Sequence, residues 1–188
     1  ANLGGTYLTD ADLSHASLRG SDLKDADLKD ASLLGARLQD ASLWGANLQG
    51  AVLNFADLRG ANLNNANLQG AELGRVDLQG TYLTVVDFQS TFLWGANLQG
   101  TYLADADLQD ADLSRANLQD AVLWGANLQG ANLGSANLRD ANLKSANLQG
   151  VFLGRANLQD DVPEDYELRR ALSARRNTIK NGDESQVE

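Results

Sequence analysis

Leucine recurs at every fifth residue of this chain. Stepping by five from Leu3 to Leu158, 31 of 32 positions are Leu and the other is Phe88. No insertion shifts the frame. The period fits neither common regular structure, since strands repeat every two residues and α-helices every 3.6. Each five-residue step would rotate a helix by about 140°, spreading the leucines around its circumference with no face to bury. The residues between the leucines point the same way. Gly, Asn and Asp are frequent, weaken helices and favour tight turns. A chain that turns once per five residues and keeps its leucines inside is a solenoid. Its units cannot bury a leucine alone, but stacked coils share a continuous core.

Within each pentad, position 1 is small, usually Ala and sometimes Ser, Thr or Val. Position 2 is mostly Asn or Asp, position 3 is Leu, and positions 4 and 5 are polar or Gly, commonly Gln-Gly or Gln-Asp. The string Leu-Trp-Gly-Ala-Asn-Leu-Gln-Gly occurs at 43–50, 93–100 and 123–130 and carries all three tryptophans, Trp44, Trp94 and Trp124.

The pattern Ala-(Asn/Asp)-Leu-x-x, as in Ala61-Asn62-Leu63-Asn64-Asn65, resembles the pentapeptide-repeat family across residues 1–160. The resemblance implies an all-β solenoid, a right-handed quadrilateral β-helix with four pentads per coil. Thirty-two pentads then make about eight coils, from 1–20 to 141–160. At the usual strand spacing the rod is about 38 Å long. Residues twenty apart stack on one of four faces, numbered here from pentad 1–5. The regular form is similar to that of cyanobacterial members, most of which have no assigned biochemical role. Such relatives occupy the cytoplasm, the thylakoid lumen or the periplasm, so a soluble protein is expected and its compartment stays open.

The faces differ. Face one gathers Tyr82, Val85, Tyr102, Val122 and Trp124, an apolar patch of the kind that marks a partner or self-association surface. Trp44 shares that face at a distance, while Trp94 falls on the opposite face three with Phe55, Phe92 and Phe152. The repeated tryptophan string therefore cannot form one site. Face two sets six aspartates against one lysine. Asp27, Asp30, Asp87, Asp107 and Asp110 are its main acidic candidates, with a solvated, solubilising face as the plainer account. Glutamines stack on faces two and four and are expected to bond along the axis as amide ladders. In the middle coils Val76, Thr81, Val86, Thr91 and Thr101 replace Ala beside Phe88. Either this is compensating packing, or the rod bends there.

The remaining sequence is different in kind. Pro163 suits the start of a helix, acidic residues follow it, and Leu168, Ala171 and Leu172 form one apolar stripe. Residues 161–180 are thus expected to be a helical cap and 181–188 a disordered tail. No N-terminal cap is recognisable, so upstream residues or a second copy are expected to cover that end.

Several functions are disfavoured. There is no Cys and one His, His15, which the frame points outward. Neither a thiolate site nor a zinc site is expected, and no cofactor or other metal. A stack of Asp120, Asp140 and Asp160 is interrupted by Arg139. No loop insertion could build a catalytic pocket, so no catalytic residue is assigned. A net charge of −10 opposes direct nucleic-acid binding, and no apolar run is long enough to span a membrane. The sequence thus reads as a non-enzymatic scaffold or protein-interaction module with an unidentified protein partner. The alternative is a DNA mimic that binds gyrase, as quinolone-resistance members of the resembled family do. That reading fits acidic face two but not the arginines Arg75, Arg115 and Arg155 on face three.

Overall fold

A computed structural model describes residues 1–158. The chain winds into a four-sided β-helix. Each position-2 residue forms a parallel bridge to the residue twenty further on, from Asn2 with Asp22 through Tyr82 with Tyr102 to Asn137 with Asn157. Four pentads per coil, which periodicity alone leaves open, is therefore the observed register. The expected cap residues Pro163, Leu168, Ala171 and Leu172 lie outside the described residues.

The corner conformation follows from the pentad. The N–H of position 1 donates to the carbonyl of the preceding position 3, as in Ala31 to Leu28 at 3.1 Å. Such a turn of the type II class needs a positive φ at its third residue, which is position 5. Every position-5 residue from Gly5 to Arg155 has φ between 54° and 71°. Gly, Asn and Asp tolerate that region best. Val85, at φ 56°, does not, because a β-branched side chain there is strained.

The other backbone donors are consumed by stacking. Position 2 donates to the coil below, and positions 3 and 5 donate to the coil above. Asp27, Leu28 and Asp30 do so at 2.9, 2.7 and 2.8 Å. Only the position-4 N–H is left over. The position-2 side chain takes it, closing an Asx turn. Examples are Asn67 to Gln69 at 2.9 Å, Asp112 to Ser114 at 3.0 Å and Asn147 to Gln149 at 3.1 Å. Asn or Asp at position 2 is thus a backbone cap, and Leu at position 3 is its inward neighbour.

The interior is one apolar column. The position-3 leucines from Leu18 to Leu153 are buried, with position-1 alanines between them. Buried threonines at position 1 satisfy their hydroxyls locally. Thr81 donates to the Leu78 carbonyl at 2.7 Å and Thr91 to the Phe88 carbonyl at 2.6 Å. Phe88 is fully buried. The larger core here is accommodated by lengthened coil-to-coil bonds on face one. Tyr82 to Ala61 spans 3.4 Å, Asn65 to Thr84 3.3 Å and Val85 to Ala104 3.3 Å. On face three of the same coil, Leu73 to Phe92 stays at 2.7 Å. The rod is locally opened on one face.

These constraints predict unequal substitutions in urea unfolding. Val85→Asn raises stability by about 1 kcal/mol by removing β-branched strain. Gly70→Ala lowers it by about the same amount, since its φ is positive but its surroundings are open. Gly130→Ala costs more, because the Asp110 carboxylate lies where the new methyl would go.

Candidate interaction faces

On face one the geometry brings the expected patch together. The rings of Tyr82 and Tyr102 are stacked at 5.8 Å with 16° between their planes. Val122 continues the same column one coil higher, since it bridges Tyr102. Trp124 flanks it, and Val85 sits beside Tyr82 in sequence at the corner. Tyr82, Val85, Tyr102 and Trp124 keep 53%, 56%, 51% and 45% of their surface exposed, so they are presented outward rather than folded flat. The patch also interrupts the capping pattern. The Tyr102 hydroxyl is too far out on its ring to cap its own pentad and Val122 has no acceptor, and among the described residues the N–H groups of Ala104 and Trp124 lack a protein partner. Thr84 is rescued by Asn64 of the coil below at 2.9 Å. Trp44 is separate, with the Lys24 ammonium 4.5 Å from its ring centroid.

Face two looks different once its bonds are traced. Asp27 accepts from the Thr9 hydroxyl at 3.1 Å and the Asn47 amide at 2.9 Å. Asp107 accepts from the Gln89 amide at 2.6 Å, the Gln109 N–H at 3.1 Å and the Asn127 amide at 3.0 Å. Asp87 caps Gln89 at 3.0 Å. These three carboxylates occupy the structural cap position. Asp30 and Asp110 instead stand at corners with positive φ and lean over Gly50 and Gly130.

The expected glutamine ladder is largely replaced by another. Among the described residues only Gln49 and Gln69 bond amide to amide, at 3.2 Å. The ladder that forms is asparagine at position 2. On face four Asn97 donates to Asp77, Asn117 to Asn97, Asn137 to Asn117 and Asn157 to Asn137, at 3.0 to 3.4 Å. It begins on an aspartate, and the reason is chemical. An ionised Asp accepts but cannot donate, so it starts a ladder whose later rungs must be Asn. The shorter Asn side chain bonds along the axis while capping its own pentad. Glutamine, at position 4, reaches carboxylates instead, as Gln39 reaches Asp57 at 2.5 Å.

Face four also carries the main ion pairs. The Arg59 guanidinium grips Asp57 at 2.6 and 2.9 Å and lies 3.5 Å from Asp77 one coil above. The bonds from Arg59 hold the Asp57 carboxyl below its ordinary value. Asp12 is lowered for a related reason, the bonds from the Ser14 hydroxyl and N–H. Arg19 with Asp40 and Arg139 with Asp140 are looser, exposed pairs. Among the described residues no group of three acidic or His side chains could hold a metal ion, so Asp120 and Asp140 make no such site. His15 is exposed and rests against Gly35.

Sequence reasoning missed the arrangement on face three. Trp94 is sandwiched between the Arg75 and Arg115 guanidiniums, 4.7 and 5.9 Å from its ring. The signal was present: residues 19 below and 21 above Trp94 are both Arg. Such pairs stabilise by cation–π attraction and hold the guanidiniums in place.

A four-sided helix of stacked pentads, with capped corners and, among the described residues, no inserted loop, defines a repeat-scaffold class. The chain belongs to the pentapeptide-repeat family: the family description "Pentapeptide repeats (8 copies)" matches residues 6–45, 46–84, 81–120 and 121–160. The fold is accordingly a right-handed quadrilateral β-helix. It is similar to HetL of the cyanobacterium Nostoc sp. strain PCC 7120, a pentapeptide repeat protein involved in heterocyst differentiation regulation. Identity is 38%, covering 85% of this chain and 77% of that one, with a TM-score of 0.62. Rfr23 of the cyanobacterium Cyanothece 51142 is 34% identical over 55% of this chain and 64% of its own, with a TM-score of 0.34. QnrB1, a plasmid-mediated fluoroquinolone resistance protein, is 17% identical over 93% of this chain and 95% of its own, at 0.49. Comparison with curated protein sequences returns no match. No catalytic family is indicated, and no helix of the described residues is long and apolar enough to cross a membrane.

The Asp57–Arg59 pair predicts an acid-sensitive contribution to stability. The folded carboxyl titrates below its ordinary value of 3.8, so its contribution is complete above that pH. It is lost as pH falls through the lower folded value. The urea midpoint of the native protein should exceed that of Arg59→Gln at pH 7, and the gap should narrow progressively as pH falls below 3.8.

Proposed function

We propose that this chain is a non-enzymatic scaffold that docks a protein partner through face one. The observation that carries this reading is the stacked Tyr82–Tyr102 pair, extended by Val122, Trp124 and Val85 on an exposed face. Ordinary pentads place Asn or Asp at position 2, where the side chain caps the backbone. Three successive coils here give up that side chain, two for an exposed tyrosine and the third for the half-buried Val122. Local stability does not explain the exchange, since it leaves two N–H groups uncapped, and Val85 adds a strained corner beside Tyr82. Large exposed aromatic residues on a rigid base are the usual anchors of protein interfaces. A relative with a regulatory involvement, HetL, is compatible with a role exerted through contact.

A DNA-mimicking, gyrase-binding role for face two is the weaker reading. A phosphate mimic needs free, outward carboxylates. Asp27, Asp87 and Asp107 instead spend their oxygens on backbone amides and neighbouring side chains.

Restoring the consensus separates fold from function. Tyr82→Asn with Tyr102→Asn supplies the missing cap of the Ala104 N–H and two ladder rungs, so the double variant should unfold at an equal or higher urea concentration. Light scattering and chemical cross-linking in the native host extract should show loss of the association formed by the unaltered chain. Association that persists unchanged in the double variant refutes a face-one interface.

A further inference from the structure

On face three the position-4 column runs Trp94, Ser114, Gly134, Gly154. Because the three coils above Trp94 carry only Ser or Gly there, a trough of about 330 Å³ opens along the rod, bordered at one end by the indole. One bank is Asn132 and Phe152, and the other is Arg115, Ser135 and Arg155. The glycines are required by the Phe152 ring. A methyl on Gly154 would stand 2.8 Å from Phe152 Cε1, and one on Gly134 3.0 Å from it.

The trough is rich in unused donors. Phe152 cannot cap its own pentad, so among the described residues the Gly154 N–H has no protein acceptor. Arg115 and Arg155 form no ion pair among those residues. Arg115 is held by the Trp94 ring instead. Asp112, the carboxylate on this stretch of the face, already accepts from the Ser114 N–H at 3.0 Å and the Asn132 amide at 3.2 Å. In a chain of net charge −10, two guanidiniums and an N–H that have no acceptor among the described residues, set beside an aromatic ring, form a local anion trap.

We propose that this trough binds a small organic anion, a carboxylate or phosphate carried on a flat apolar body. The anionic group takes Arg115, Arg155 and the Gly154 N–H. The body lies along the Phe152 ring and the Ser114 and Trp94 end of the trough. The volume is at the lower end of the range of about 300–1,000 Å³ typical of small-molecule sites. The site is on the face opposite the Tyr82–Tyr102 patch and does not depend on the partner reading.

The test uses the full chain and follows the Trp94 indole N–H by NMR, assigned with Trp94→Phe. Phenyl phosphate, benzoate, inorganic phosphate and benzyl alcohol are titrated in turn. Phenyl phosphate and benzoate should give saturable shifts, the tighter of the two naming the anionic group. Inorganic phosphate and benzyl alcohol, each lacking half of the ligand, should bind at least about tenfold more weakly. Arg115→Gln with Arg155→Gln should weaken the aromatic anions by about tenfold or more. Ser114→Leu should block them by filling the trough with both arginines intact. Circular dichroism verifies that each variant folds. The proposal is overturned if no probe gives a saturable shift, if inorganic phosphate binds as tightly as phenyl phosphate, or if either variant binds unchanged.

Discussion

The position-4 N–H is the point on which this architecture turns. A square coil with a turn every five residues consumes four of its five backbone donors per pentad by itself. Three go to neighbouring coils and one closes the corner. The fifth needs an acceptor from a short side chain two residues back, and Asn or Asp meets that need. The cap supports the inward leucine and the positive-φ corner without being a condition of either, since Leu103 and Leu123 are buried in uncapped pentads and Asp105 keeps φ 56°. An uncapped N–H is tolerable where water reaches it, so the fold permits departures from Asn or Asp at position 2.

Those departures are not scattered evenly. Tyr82, Tyr102 and Val122 succeed one another on face one, where bulky core residues around Phe88 also lengthen the coil-to-coil bonds. Phe92 and Phe152 occupy the same position on face three, with Trp94 at position 4 between two arginines. Faces two and four keep the cap more faithfully, and their Asp and Asn residues are largely absorbed by ladders and ion pairs. The rod thus divides its labour: two sides hold the coils together, and two sides present chemistry.

Much of this was legible in the sequence. Period five excluded helix and flat strand, and the family resemblance supplied four pentads per coil, so face membership of Tyr82, Tyr102 and Trp124 followed by counting. The separation of Trp94 from Trp44 and Trp124 followed in the same way. Less visible was which amide forms the ladder. Gln and Asn both recur every twenty residues, and only the geometry shows that Asn at position 2 can cap and stack at once, while Gln at position 4 is drawn to carboxylates. Face two read as a free acidic surface because composition counts charges and not the bonds that occupy them. The trough on face three was missed because it is made by small residues at 114, 134 and 154, whose importance lies in what they leave open.

The central claim is that Asn and Asp at position 2 cap the backbone and that the aromatic pentads forgo this cap. Residue-resolved amide hydrogen exchange in the native state tests it most directly. Position-4 amides capped from position 2, such as Gln69, Gln109 and Gln129, should exchange slowly. Those of Ala104, Trp124 and Gly154 should exchange faster by about tenfold or more. Equal protection at both sets of amides would contradict the account.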